Sequence, residues 1–525
     1  MLKLKRGFFM SKNKMETVAA IDIGSNYLRM VIAQITPEGN ILPLEDLKKS
    51  TNIGKDAFST GKVGLESISK ACNTLKGFVQ LMQDYKVKYY RAVSTSGIRE
   101  TRNSEYILEQ IRIKTGLRVE VINQSQERFY IYKALRNSLS ESEKLRKEPS
   151  LIINITSGGV EVSAYNGGHL RFTEYVKIGS LRLHEALSDL EKMTLNFPTL
   201  IEEFVKSKVS TLRSQIKKLE IKNFIGIGGE LGSISNLIPN RTNINKDTIF
   251  ISKSELNNLY STVSKMTTEQ LIDNYNLSLT QAVLLLPSLT IFNTFLNMTK
   301  ADGIYGPMTS LRNGIIADMA DDYYDTPRRK DFIDDIISSV WYIAEKYGID
   351  KLHAAHTERL SLLIFDKTHK YHKFREKERL YLQVAAILHD VGKYINLSQH
   401  DLHAYSIIRS QDILGFSNEE MNLIACIALY HIRGIPNSDD KVYEVLSQGS
   451  KIIVSKLAAI LKLAGSLDVS HRQKIHDVAI SNVEENLIFK IDSKEDTTLE
   501  EWNFKNSCDF FEEVMGIEPI IKRKG

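Results

Sequence analysis

The chain has 525 residues, too many for one hydrophobic core, so its length implies three or four domains. Its make-up, 42% apolar and 25% charged, is ordinary for a globular protein. The formal net charge of +5 is small for this length and argues against bulk nucleic-acid binding, so the basic residues for any polyanionic ligand must be gathered locally.

The opening MLKLKRGFFMSKNK is basic, and its apolar part is too short for a signal peptide; a frayed start, with Met10 as the true initiator, is the blander expectation. No apolar run approaches the roughly 18 residues that argue a membrane helix, and the proline inside AVLLLPSLTIF fits a broken or buried segment. No membrane partner is therefore expected. Three scattered cysteines (Cys72, Cys426 and Cys508) have neither disulfide nor zinc spacing, which points to a reducing cytoplasm. Of the twelve histidines, ten lie after residue 350, which suggests two halves with different chemistry.

From Val18 to about Asn313 strands alternate with helices. AAIDIG, RMVIAQI, YRAVST, RVEVI, SLIINIT, VEVSAY and NFIGIGG read as strands, and ISKACNTLKGFVQLMQDY and IEEFVKSKVSTLRSQIKKL carry helical spacing. This is an α/β pattern. Two similar hairpins, starting near Ala19 and Leu151, predict a duplication: two related lobes facing each other across a cleft. The polar stretch DMADDYYDTPRRKD breaks the pattern, and the chain then reads as helical until strand-like alternation returns in KIHDVAISNVEENLIFKID. A last helical piece, SCDFFEEVMG, leads to a basic tail. Boundaries fall near residues 140, 320 and 475, giving lobes 1–140 and 141–320, a helical domain 321–475 and a small α+β domain 476–525.

The first hairpin holds IDIGSN. A carboxylate, Asp22, ends a buried strand and can hold a divalent metal or a water. The exposed amides of Gly24, Ser25 and Asn26 can cradle a phosphate oxygen, with Gly24 admitting the anion closely. An ordinary capped hairpin turn explains so short a motif equally well. In AVSTSGIRETRN, Arg99 follows a strand and two hydroxyls, Thr95 and Ser96, as a phosphate-clamping arginine would. IGIGGELGS adds Gly228 and Gly229 after a third strand, and KIGSLRLHEAL and LRNGIIADM place Gly179 and Arg312 at similar junctions.

In this order the motifs resemble the exopolyphosphatase / guanosine pentaphosphate phosphohydrolase family. The resemblance runs from about Val18 to the ending LEEWNFKNSCDFFEEVMG. It implies a two-lobed actin-like (ribonuclease H-like) ATPase fold, followed by an all-α HD-type domain and a small α+β domain. It also implies Mg²⁺-assisted release of orthophosphate from polyphosphate or a guanosine polyphosphate, by a homodimer. In VEVINQSQERFYIY the family's paired acids become Gln126 and Glu127, and the second is the position that activates water. Glu127 is therefore the expected base, with Arg99 and the loop amides stabilising the transition state.

The second loop resembles D-I-G-G-G-S-T-E but reads Asn154-Ile-Thr-Ser-Gly-Gly-Val-Glu. Asn154 keeps an oxygen but loses the charge that would hold Mg²⁺, while Thr156 and Ser157 replace glycines. Gly158 and Glu161 survive, so Asp22, Asn154 and Glu161 are the expected cleft metal set, with Ser157 and Gly158 facing substrate. Glu230 stands where a small hydroxyl is usual and would repel phosphate. Two readings follow for the cleft: a working hydrolase, or a weakened, regulatory binder of polyphosphate or alarmone.

A third reading places the chemistry further on. His353, His389-Asp390 and Asp468 are spaced as in HD-type metal phosphohydrolases. Adjacent His and Asp on one buried helix can reach one Mn, Fe or Mg ion from neighbouring directions. His400, His403 and His431 are candidates for a second metal or for substrate phosphate. Lys451, Lys456, Lys462, Arg472 and Lys474 form either a polyanion track or a solvated face.

Overall fold

The computed structural model describes residues 14–523 apart from 139–147, 168, 192, 195, 229, 240–241, 246–247, 308, 325, 327, 435–439 and 484–485. The frayed start and Met10 lie outside these residues. The chain divides into two compact units, Met1–Asp335 and Ile336–Gly525.

The first unit is built on two sheets. In lobe I, β1 (Glu16–Ile23), β2 (Tyr27–Ile35), β3 (Ile41–Ser50), β4 (Tyr89–Ser94) and β5 (Val119–Val121) lie in the order β3-β2-β1-β4-β5. The first three strands are antiparallel, and β4 and β5 run parallel to β1. Lobe II has β6 (Ser150–Ile155), β7 (Val160–Asn166), β8 (His169–Val176), β9 (Asn223–Gly228), β10 (Thr242–Asn245), β11 (Thr248–Ser252) and β12 (Gly303–Pro307), ordered β10-β11-β12-β9-β6-β7-β8. The run β8-β7-β6-β9-β12 repeats the order and strand directions of lobe I, so the duplication seen in two hairpins extends to both sheets.

Among the described residues, five strands of this unit escaped the sequence reading. β3 is an exposed edge, ILPLEDLKKS, with charges on both faces and Pro43 inside, and it lacks the apolar alternation of a core strand. β12, GIYGP, is short and made of turn formers, yet it is buried between β9 and β11.

Helices Leu65–Asp84 and Ser104–Thr115 cover one face of the lobe I sheet. Helices Gln124–Ser138 and Leu311–Tyr324 cover the other, in a core that also takes Ile225 and Ile227 of lobe II. The two helices cross so closely that any side chain at Gly314 would strike the Tyr130 carbonyl. Buried Lys133 locks the crossing, bonding Asp318 at 2.6 Å and Asp321 at 2.9 Å. Charges this buried persist because they are paired.

AVLLLPSLTIF is not broken. It lies in one helix, Leu279–Leu296, opened by a Ser278–Gln281 capping box, with Pro287 inside. By length and composition this helix is apolar enough to cross a bilayer, but 67% of it is buried inside lobe II.

The second unit packs helices Lys351–Lys367, Glu376–Leu388, His400–Ser410, Asn418–Arg433 and Gln448–Ser466, then a sheet of β13 (Asp477–Val483), β14 (Asn486–Asp492) and β15 (Glu518–Arg523) with helix Thr498–Met515. The expected basic tail is β15, which runs parallel to β14 through Pro519 and Ile520.

Candidate functional site

Three turns and one helix start meet in the cleft of the first unit. β1 delivers Asp22, which is 4% exposed, to the turn Gly24-Ser25-Asn26. The Gly24 amide donates to the Tyr27 carbonyl (3.1 Å), and a Cβ on Gly24 would press to 3.0 Å from that oxygen. Asp22 Oδ2 accepts from Arg29 Nη1 at 3.1 Å, its cross-strand partner, while Oδ1 is buried without a partner. The carbonyls of Ser25 and Asn26 accept from the Gly54 and Thr51 amides, so the turn is fixed from behind.

β4 leads through Thr95 into the short helix Ser96–Arg99. Ser96 Oγ lies 3.2 Å from Ser25 Oγ, joining the two turns. Arg99 Nη1 donates to the Ile122 carbonyl (2.7 Å) and stands 3.5 Å from Glu127 Oε2, whereas its Nε and Nη2 are buried without partners. Glu127 sits in the first turn of its helix. Burial pushes its carboxyl up; Arg99 opposes the shift and the charge of Asp22 adds to it.

The second loop follows β6. Thr156 closes it, its hydroxyl donating to the Gly159 carbonyl (2.9 Å) and accepting from the Gly159 amide (3.1 Å). A side chain thus holds a turn that the family pattern gives to glycines. Gly158 faces lobe I; a Cβ there would lie 2.5 Å from Ser96 Oγ, so Ser25, Ser96 and Gly158 bring all three turns together. Arg182 latches the loop: its amide donates to the Ser157 carbonyl (3.0 Å), its Nε to the Gly158 carbonyl (2.7 Å), and its Nη2 pairs with Glu100 of lobe I. Gly179 supports the loop from beneath, where any Cβ would strike the Gly159 amide.

Asn154 and Glu161 are neighbours across β6 and β7, and Asn154 Nδ2 donates to Glu161 Oε2 at 2.9 Å. Glu161 Oε1 is buried without a partner. Burial, helped by the charge of Glu127, pushes the Glu161 carboxyl up to about 8. In the turn after β9, Gly228 has φ +66°, and a Cβ would strike the Ile155 carbonyl, so this position requires glycine. Gly229 lies outside the described residues. Glu230 takes a left-handed φ of +54° and accepts from Ser233 Oγ at 3.2 Å. Its charge acts on Lys48 and Tyr27, so it belongs to a mixed cluster with a cation in it. Arg312 pairs with Asp46 and donates to the Met30 carbonyl at 3.3 Å.

Sequence reading missed Arg29 and Arg182. Arg29 is placed by strand register, and Arg182 acts through backbone carbonyls; neither leaves a motif.

In the second unit the histidine set also converges. His389 and Asp390 do not lie within a helix as expected: His389 caps Glu376–Leu388 and Asp390 follows it. His353 Nδ1 bonds Asp468 Oδ2 (2.9 Å), His389 Nδ1 the Ala386 carbonyl (2.8 Å), and His431 Nδ1 the Ala428 carbonyl (2.5 Å). His353 Nε2 and His389 Nε2 stand 4.0 and 3.7 Å from Asp390 Oδ2. Lys393 Nζ holds the same oxygen at 2.6 Å. Burial works against ionisation of Asp390, but His389 and Lys393 outweigh it and hold the carboxyl below its ordinary range. Burial drives His431 down to about 3. His471, which the sequence reading passed over, stacks on His353 with centroids 3.7 Å apart and joins His353 and Asp390 as a possible ligand group. His400 bonds the Leu397 carbonyl (3.0 Å), and His403 is on the same helix.

The five basic residues of the track are engaged locally. Lys456 bonds the Tyr371 carbonyl, Lys462 the Ile432 carbonyl, Arg472 pairs with Glu495, Lys474 bonds the Asp496 carbonyl, and Lys451 lies over the Tyr443 ring.

Comparison with known proteins gives two matches to one family. The Ppx/GppA phosphatase family matches residues 31–323, and domain III of the same phosphatases matches residues 337–507. The chain belongs to the Ppx/GppA phosphatase family. This Ppx/GppA chain is 21% identical over 408 residues to a guanosine-5'-triphosphate,3'-diphosphate pyrophosphatase from Photobacterium profundum, covering 78% of each chain. It is likewise 21% identical over 458 residues to the Vibrio vulnificus protein of that name, covering 87% of each. Among solved structures, an exopolyphosphatase from Cytophaga hutchinsonii matches with a TM-score of 0.52 and 19% identity, over 58% of this chain and 98% of its own. That likeness shows a shared fold over this part of the chain.

Proposed function

We propose that this Ppx/GppA enzyme hydrolyses the terminal phosphoanhydride bond of inorganic polyphosphate or guanosine pentaphosphate in the cleft between its lobes. The observation that carries this reading is a set of buried polar atoms without partners: Asp22 Oδ1 and Glu161 Oε1 beside Arg99 Nε and Nη2. Buried polar atoms are rarely left unpaired. Two acceptors and two cationic donors together suit an anion that arrives with a cation. The relatives' names, a guanosine pentaphosphate pyrophosphatase and an exopolyphosphatase, support both substrates.

The donor set fits a hard divalent cation, Mg²⁺ in this reading, with Asp22, Glu161 and the Asn154 amide oxygen to hold it. Bound there, the ion would neutralise phosphate charge. The amides of Gly24 to Asn26 and of Ser157 and Gly158 receive phosphate oxygens, Ser96, Thr95 and Gly228 shape the pocket, and Arg99 balances the charge that develops on the terminal phosphoryl group. Glu127, raised by burial, takes a proton from water as the water oxygen bonds to phosphorus. The bridging P–O bond breaks, and its electron pair leaves with the shortened chain.

The test is phosphate release from long-chain polyphosphate and from guanosine pentaphosphate. Wild type releases phosphate, and Glu127→Gln falls by roughly 10²–10⁴-fold. Tight binding without release by the wild type would make the cleft a sensor. The same resemblance brings a homodimer into the proposal, the cysteine usage brings a cytoplasmic location, and light scattering on the purified chain tests the first.

A second reading is favoured by one observation: His353 and His389 have Nδ1 occupied, which leaves their Nε2 atoms to face a metal beside Asp390. The set suits a Mn, Fe or Mg ion, with Asp468 orienting His353. Elemental analysis tests it. One equivalent of metal in wild type, lost in His389→Ala, supports the site; equal content in both rejects it.

A further inference from the structure

One buried donor in the cleft has no role in the reaction described above. Tyr175 lies on β8 opposite Glu161, its cross-strand partner. Its ring is partly exposed, but its hydroxyl is buried and without a hydrogen-bond partner. The ring lies across the second loop in the space that a side chain on Gly159 would fill; any Cβ there would strike the ring edge and the hydroxyl. The groups acting on the hydroxyl come from both lobes: Glu127, Glu100 and Arg99 of lobe I, and Glu161 of lobe II. Burial, reinforced by these carboxylates, raises the phenol well above its ordinary range, so it is a neutral O–H donor at working pH.

Of the carboxylates acting on it, Glu161 Oε1 and Glu100 Oε1 are themselves buried without partners, so neither receives this hydroxyl. Glu127 faces Arg99, and Glu161 accepts from Asn154. A buried hydroxyl left over between them has the same unmet need as Arg99 Nε and Nη2 beside it: an acceptor. We propose that Tyr175 is a substrate-contacting residue of this cleft, its hydroxyl donating a hydrogen bond to a non-bridging oxygen of the terminal phosphoryl group alongside Arg99. The proposal rests on the hydrolytic reading of the cleft. It gives the altered second loop a donor that carries no charge, beside an Asn154 that has lost one.

Tyr175→Phe tests it, because the ring that packs over Gly159 is kept and only the hydroxyl is removed. Phosphate release from long-chain polyphosphate and from guanosine pentaphosphate is measured with thermal unfolding of the same samples. A hydrogen bond that tightens on the phosphoryl group predicts kcat lower by roughly five- to fifteenfold with KM little changed. Removing a buried hydroxyl that lacks a partner leaves the melting temperature of the substrate-free protein unchanged or higher. A contact that merely supports the fold would lower it. Unchanged kcat on both substrates, or a lower kcat accompanied by a lower melting temperature, overturns the assignment while leaving the hydrolytic reading intact. A wild type that releases no phosphate removes both.

Discussion

Asn154→Asp restores the acid that the family's second loop carries, and its cost and benefit follow from the geometry. Asn154 and Glu161 are 5% and 2% exposed, and the amide donates to Glu161 Oε2 across 2.9 Å. An ionised Asp offers no donor, so the change deletes one buried hydrogen bond and sets two carboxylates face to face. Leaving a buried group without its partner costs about 1–3 kcal/mol, which for a unit of this length lowers the melting temperature by roughly 2–5 °C. Two such acids relieve the repulsion by sharing a proton, so the loss is small in acid and grows as pH rises through neutrality. A divalent cation reverses the balance: Asp supplies the charge that the amide lacks, and Mg²⁺ therefore stabilises the variant more than the wild type. The assay is thermal unfolding at acid and mildly alkaline pH, each with chelator or with Mg²⁺, alongside phosphate release. A variant as stable as wild type in chelator at the higher pH, or one whose melting temperature ignores Mg²⁺, refutes the reasoning.

Other consequences are as direct. Glu161 is raised from 4.5 to about 8, chiefly by burial and then by Glu127. The folded state therefore holds a proton that the unfolded chain has released between those values. Stability falls as pH rises through that window and levels off above it; urea midpoints across the range measure the slope, and Glu161→Gln flattens it. Gly158→Ala puts a Cβ 2.5 Å from Ser96 Oγ and 2.7 Å from its Cβ. Overpacking of this kind costs about 1–3 kcal/mol and disturbs the meeting of the turns, so phosphate release and melting temperature fall together; adding Ser96→Gly to the same chain restores the melting temperature. Failure of the second change to rescue would show that the contact is not the cause.

What could be read in the sequence divides by how far each contact reaches along the chain. Asp22 with Gly24 and Arg99 behind Ser96 are local arrangements: a strand or turn carries its own chemistry within a few residues, and glycines and hydroxyls mark the place, whereas Glu127 came from the family resemblance. The repeated hairpin also announced two lobes. β3 and β12 were hidden because one is a polar edge and the other is built of turn formers, so neither shows the apolar alternation that reveals a core strand. Arg29, Arg182 and Tyr175 were hidden for another reason. They reach the site through strand register or through backbone carbonyls, relations that span a turn or join separate segments and leave no spacing signal.

Register also bears on why this cleft has Asn154. The hairpins are duplicates, and the strand-end residue of each faces a partner across the pair: Asp22 against Arg29 in lobe I, Asn154 against Glu161 in lobe II. In the first copy the acid is met by a cation, at 3.1 Å. In the second the cross-strand partner is itself an acid, so an Asp at 154 would set two buried carboxylates against each other in register. An amide resolves that conflict by donating to Glu161, at the expense of one negative charge toward the proposed cation. The substitution is thus the neutral solution to a pairing that the other lobe solves with Arg29. It leaves Asp22, Arg99 and Glu127, the residues proposed for the reaction, in place.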